Sequence, residues 1–277
     1  MHSDFLFKFS KTKTVEDNAI KVLRKLSDDV IGKRKLARNA EINSKLEPDQ
    51  RNDSRFKPFF ELIFELVDEG SLDEDEARNE VDTVVAAGYD TTQTTLLVTL
   101  LVLGYRGDVQ EKVVQELKEV FSDADEQVTK AHLSKLVYME AVIKETLRLH
   151  PVIPLMGRVV DKDVKFEKFT LPAGSVVTLN TWGLHRHRGW GTDADVYRPE
   201  RWLNASTVPD KSFAAFAMGR RSCIGKTYGM MTVKTTLAHF LRRYKVRSAS
   251  SEVKFKYDVV IKVIPGQCVS LEKRLFM

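Results

Sequence analysis

Apolar residues recur at helical spacing through most of the chain and at strand spacing only in short stretches. Over residues 15–40, Ile20, Leu23 and Val30 share one face and lysines and arginines crowd the other, which predicts an amphipathic helix. Residues 47–55 (EPDQRNDSR) are polar and turn-rich and predict a loop. Residues 56–67 predict a short apolar helix. Ser71 and Glu74 then have the spacing of a reciprocal cap, in which each side chain satisfies a free N–H at a helix start. Asp73, Glu74, Asp75 and Glu76 add negative charge at the positive end of that helix dipole. The helix is expected to reach Leu103, stop at Gly104 and act as a central spine. Gly88 and Thr91-Thr92 are poor helix formers in its middle, so a local distortion is expected there.

Further helices are expected over residues 109–121 and 130–150. The second carries Leu136, Met139, Ile143 and Leu147 on one stripe, and Pro151 and Pro154 end it. The period then changes. Val164, Phe166, Phe169, Val176, Val177 and Leu179 predict short strands joined by Pro172-Ala173-Gly174. Residues 185–212 read as polar loop, and a last helix is expected over 224–244. Two strands, 259–263 and 268–271, are expected to pair as a hairpin about Pro265-Gly266. The fold class is therefore mainly α with small β-sheets.

Composition changes this picture little. The 277 residues are 43% hydrophobic and 30% charged, an ordinary globular balance. Lys and Arg exceed Asp and Glu by 44 to 39, a net charge of +5. The signs are interspersed, so no nucleic-acid stripe is present, and an acidic protein or an anionic membrane surface suits the charge better. Two cysteines, Cys223 and Cys268, cannot build a disulfide framework, which points to a reducing compartment or a cytosol-facing surface. No signal peptide is visible. The longest apolar run, residues 96–103, is broken by Thr99 and is too short to cross a bilayer.

The most informative stretch is Phe216-Ala217-Met218-Gly219-Arg220-Arg221-Ser222-Cys223-Ile224-Gly225. A cysteine just ahead of a helix has its thiolate stabilised by free N–H groups and by the dipole. Gly219 and Gly225 leave room for a sharp turn or a flat ligand. Phe216 can shield the sulfur, and Arg221 offers a fixed positive charge to an anionic group. A thiolate buried without a partner is costly, so a metal or cofactor is implied. Gly225-Lys226-Thr227 imitates the end of a phosphate-binding loop. However, the first glycine such a loop needs is replaced by Arg220, so the nucleotide-binding alternative is remote. Glu145 and Arg148, three apart, share a helix face and suit an ion pair.

The Cys223 stretch resembles the signature of the cytochrome P-450 family, F-x-x-G-x-R-x-C-x-G, at every fixed position. Three further segments follow the family's order: Ala87-Gly88-Tyr89-Asp90-Thr91-Thr92, Glu145-Thr146-Leu147-Arg148, and Pro199-Glu200-Arg201-Trp202. The resemblance implies haem b (iron protoporphyrin IX) with Cys223 as its metal ligand. Cofactor contacts are implied for Arg158, Phe216, Gly219, Arg221 and Gly225, with Arg158 and Arg221 on the propionates. Asp90 and Thr91 are implied in activating O2, and Glu145, Arg148 and Arg201 in a structural network behind the cofactor. The implied reaction is monooxygenation of a lipophilic small molecule, with electrons from NADPH through a separate cytochrome P-450 reductase.

The layout is closest to the family-4-like animal branch. Some of that branch esterify their haem through a Glu where this chain has Ala87, so the haem is expected to be non-covalent. Arg106-Gly107-Asp108 departs from the His-Pro usual there. The expected location is the cytosolic face of the endoplasmic reticulum membrane. The family's N-terminal anchor, early helices and W-x-x-x-R contact are not found, so the expected fold is truncated at the N-terminus. Residues 1–55 are expected to be a basic helix and loop, a remnant, and residues 56–277 the haem-binding half. A truncated, non-catalytic fragment with weak or no haem binding is the alternative.

Overall fold

A computed structural model describes residues 4–43 and 59–275. The loop expected over 47–55 lies outside the described residues. The chain divides into two compact units, residues 1–89 and residues 90–277.

In the first unit a short α1 (Asp4–Phe7) precedes α2 (Lys11–Asn43), α3 (Phe59–Asp68) and the first half of α4 (Glu74–Tyr105). Ser10 starts α2, its hydroxyl accepting from the Lys13 N–H at 3.1 Å. Ile63 and Phe64 of α3 are buried, and Arg38–Asp68 (2.6 Å) and Arg78–Asp28 (2.9 Å) are exposed ion pairs that add little stability. The reciprocal cap of α4 falls two residues later than expected. Asp73 accepts from the Glu76 N–H (2.7 Å) and Glu76 from the Asp73 N–H (2.9 Å). The Ser71 N–H is already committed to Leu66 O, so Ser71 still belongs to the turn that closes α3.

The second unit holds the rest of α4, then α5 (Gly107–Val120), α6 (Lys130–Lys135), α7 (Val137–Leu149), a short α8 (Thr181–Leu184) and α9 (Lys226–Arg243). Its core joins Val98 and Val102 of α4, Val113 and Leu117 of α5, Met139 and Ile143 of α7, and Leu237 and Leu241 of α9. The helix expected over 130–150 is two helices, because Leu136 leaves the helical region (φ −80°, ψ 71°). Glu116 of α5 then caps α7, its carboxylate accepting from the Met139 N–H at 2.9 Å and from the Tyr138 N–H at 2.5 Å.

Four two-stranded antiparallel sheets complete this unit. β1 (Leu155–Val159) pairs with β4 (Val176–Asn180), and β2 (Val164–Lys165) with β3 (Thr170–Leu171). β5 (Tyr244–Ser248) pairs with β8 (Val269–Lys273), and β6 (Phe255–Tyr257) with β7 (Ile261–Val263). The hairpin expected about Pro265-Gly266 is therefore not formed. β7 turns back on β6, and β8 runs home to the strand that leaves α9. Gly104 does not stop α4 either. It lies inside the helix, where a Cβ would meet Ser248 N of β5 at 2.7 Å, so its role is close packing.

Candidate functional site

Cys223 sits between a 3-10 turn over Gly219–Arg221 and the start of α9. The loop is closed on itself. The Cys223 N–H donates to Phe216 O at 2.8 Å, and the Ser222 N–H to Gly219 O at 3.0 Å. Gly219 has φ +77°, and nothing lies within 4 Å of where its Cβ would be, so glycine is needed there for backbone conformation. Cys223 is a free, exposed thiol. The positive end of the α9 dipole lies three residues on. A Cβ on Gly225 would stand 3.9 Å from the sulfur.

Phe216 is half-buried against the core, with the Lys226 ammonium 5.8 Å from its ring centre. Arg221 is exposed. Arg158, on β1 opposite Val177, is exposed too, and donates only to the neighbouring Gly157 O at 2.7 Å. Neither guanidinium makes an ion pair among the described residues. Both cations face solvent.

Glu145, Arg148 and Arg201 are brought together with no solvent exposure of their side chains. Arg148 donates twice to Glu145 (both 2.8 Å), and Arg201 Nε donates to it at 3.0 Å. The Arg198 N–H and the Trp202 indole each add a bond at 2.9 Å. The remaining donors go to carbonyls, among them His185 O from Arg148 (2.8 Å) and Asp193 O from Arg201 (3.1 Å), and from Arg201 also to the Asp193 carboxylate (3.3 Å). Buried charges so fully hydrogen-bonded hold α7 and the 190–202 segment in one register.

His185 carries that register to the Cys223 loop. Its Nδ1–H donates to Arg148 O and its Nε2 accepts from the Ala214 N–H, both at 2.9 Å. Sequence reasoning missed His185, whose neighbours in the chain carry no motif, and gave Trp202 no role.

On α4, Asp90 and Thr91 lie in the second unit. The helix is unbroken across residues 87–92, so the expected distortion is not seen. Threonine hydroxyls bond back along the turn, Thr95 to Thr91 O (2.8 Å) and Thr99 to Thr95 O (2.7 Å). The Asp90 carboxylate is held by Lys262 of β7 at 2.7 Å. That partner stands 172 residues away in sequence, and no local pattern signals it.

A cysteine loop at a helix mouth, backed by a buried Glu–Arg–Arg network and joined in one unit by a long helix bearing Asp-Thr, defines a class. Residues 1–267 match the family described as cytochrome P-450, and the chain belongs to that family. Within it, the chain is of family 4 type. It is 33% identical to mouse cytochrome P-450 4V2 over 92% of this chain and 50% of that protein. It is 32% identical to Drosophila melanogaster cytochrome P-450 4c3 over 90% of this chain and 49% of that protein. The chain thus spans about half the length of the curated relatives it matches. The fold is shared with the crystal structure of a cytochrome P-450 (CYP102L1), at a TM-score of 0.77 and 22% identity over 95% of this chain and 58% of that one. Among the described residues, no helix is long and apolar enough to cross a membrane.

Proposed function

We propose that the chain carries the haem side of a monooxygenase that inserts one atom of O2 into a lipophilic small molecule and reduces the other to water. The observation that carries this reading is Cys223, a free exposed thiol on a hydrogen-bonded loop ahead of α9. The residues fit a haem. One thiolate ligand sits where the helix dipole favours its charge. Gly219 lets the loop turn back, Gly225 keeps bulk away from the sulfur, and Phe216 supplies apolar cover. Arg158 and Arg221, without carboxylate partners among the described residues, are available to two propionates. The haem is non-covalent, since Ala87 offers no carboxyl group for an ester.

A bound haem would supply the binding and reduction of O2, with a thiolate ligand donating electron density that favours O–O cleavage. The chain supplies the rest. Cys223 would hold the iron. Asp90 and Thr91 would hold and pass a proton. The Glu145–Arg148–Arg201 network keeps the cysteine loop and α7 in fixed relation. Electrons come from NADPH through cytochrome P-450 reductase, which meets the basic surface near Arg220 and Lys226. The protein works on the cytosolic face of the endoplasmic reticulum membrane.

Haem titration of the chain, followed by the reduced, CO-bound spectrum, tests this. Stoichiometric uptake with the red-shifted thiolate band is expected, and loss of that band in Cys223→Ser. No uptake, or the same band in the serine variant, overturns the reading.

A further inference from the structure

The Asp90–Lys262 pair joins two elements of the second unit that otherwise have separate anchors. Lys262 is the central residue of β7. Its neighbour Ile261 is 1% exposed and donates its N–H to Val152 O at 3.0 Å, so that side chain seats the strand on the core. Alternation then points Lys262 to the other face, where its ammonium reaches both Asp90 oxygens, the longer contact 2.7 Å. The partner strand is anchored elsewhere. Phe255 of β6 packs edge-on against Trp182 (5.3 Å) and His150 (5.9 Å).

Directly across the hairpin from Lys262 stands Lys256. Like charges placed opposite each other destabilise an antiparallel pair. Lys256 makes no ion pair among the described residues, so Asp90 is the counter-charge that this register needs.

We propose that Lys262 is a positioning residue for Asp90, and that this pair latches the β6–β7 hairpin to α4. The catalytic consequence rests on the monooxygenase reading. Lys262 fixes where the Asp90 carboxylate sits on α4, so its loss leaves that carboxylate misplaced for proton transfer.

Amide hydrogen exchange on the full chain, without haem, tests the latch. Lys262→Met and Asp90→Asn should each speed exchange of the 255–263 amides severalfold, and the double variant should add little. Lys262→Arg should restore protection. In the Asp90→Asn background, Lys256→Glu should also restore it, by giving Lys262 a partner across the strands. Unchanged exchange in Lys262→Met, or fully additive effects, overturns the latch.

In the haem-loaded protein, product formed per O2 consumed reads the positioning role. It should fall severalfold in Lys262→Met, recover in Lys262→Arg, and stay low in Asp90→Asn/Lys256→Glu despite its protected hairpin. Wild-type coupling in Lys262→Met overturns the positioning role and leaves the monooxygenase reading standing. A missing thiolate band in the wild type sinks that reading, and the exchange results then decide the latch by themselves.

Discussion

At the scale of single residues, His185 is where chemistry and stability meet. Both ring nitrogens are used in the neutral form, Nδ1 as donor to Arg148 O and Nε2 as acceptor from the Ala214 N–H. Burial, with the Arg148 and Arg186 charges adding to it, lowers its pKa from 6.5 to about 4. The folded value lies below the unfolded one, so between these limits the unfolded chain binds more protons. The stability His185 contributes is complete above pH 6.5, is lost as pH falls towards 4, and changes no further below that. At roughly 1.4 kcal/mol per pH unit, the full loss is about 3 kcal/mol. Urea unfolding between pH 7 and pH 4 should show this decline. His185→Gln, less stable at pH 7, should show a visibly shallower one. An equally steep decline in the variant would assign the proton to another group. His150 is the obvious one, its pKa also lowered to about 4 by burial and the Arg186 charge. The first effect of acid on His185 should fall on the loop leading to Cys223, because protonated Nε2 faces the Ala214 N–H.

At the scale of elements, α4 contains two glycines with opposite demands. At Gly104 a Cβ would lie 2.7 Å from Ser248 N and 3.1 Å from Arg247 C. Both are backbone atoms of β5, which is tied to β8 along its length, so they cannot step aside cheaply. Overpacking of this kind costs about 1–3 kcal/mol, against about 1 kcal/mol of helix propensity gained with alanine. Gly104→Ala should therefore destabilise. At Gly88 nothing lies within 4 Å of the added atom, so Gly88→Ala should stabilise by up to about 1 kcal/mol. Equilibrium unfolding of the two variants gives the signs, and a stabilised Gly104→Ala would show that β5 yields. The opposite signs are not legible in sequence, since what separates the two is a strand 144 residues downstream of Gly104. The same limit explains what was legible and what was not. Helix faces and the Phe216–Gly225 stretch could be read because each is a local pattern within a few turns of chain. The pairing of β7 with β6 and the shift of the α4 cap to Asp73 depend on which of several competing nearby backbone groups is already taken, and the Lys262 partner of Asp90 depends on a charge 172 residues away.

At the scale of the whole molecule, β-structure is the exposed feature. Each described sheet has two strands, so every strand is an edge that offers unpaired N–H and C=O groups. In the β1–β4 sheet these edges carry apolar side chains. Val159 and Val176 are directly opposite each other and are 71% and 73% exposed. Leu155 and Leu179 are also exposed. The neighbouring β2–β3 hairpin adds Phe166 and Phe169, stacked at 4.8 Å and more than half exposed. An open edge with aliphatic side chains is a template for pairing with a second copy, and exposed apolar patches of this kind drive association. The net charge of +5 is small for a chain of this length and opposes contact only weakly. The chain should therefore associate reversibly as its concentration rises, with a sedimentation coefficient that increases accordingly. Val176→Lys places a charge on that edge and removes an apolar side chain at a position that supports no core. It should shift the chain towards monomer while leaving the helical circular dichroism unchanged. Strict monomer behaviour of the wild type at all concentrations would mean that the twist and shortness of these strands already protect their edges, and that the apolar face of β1–β4 is tolerated alone in water.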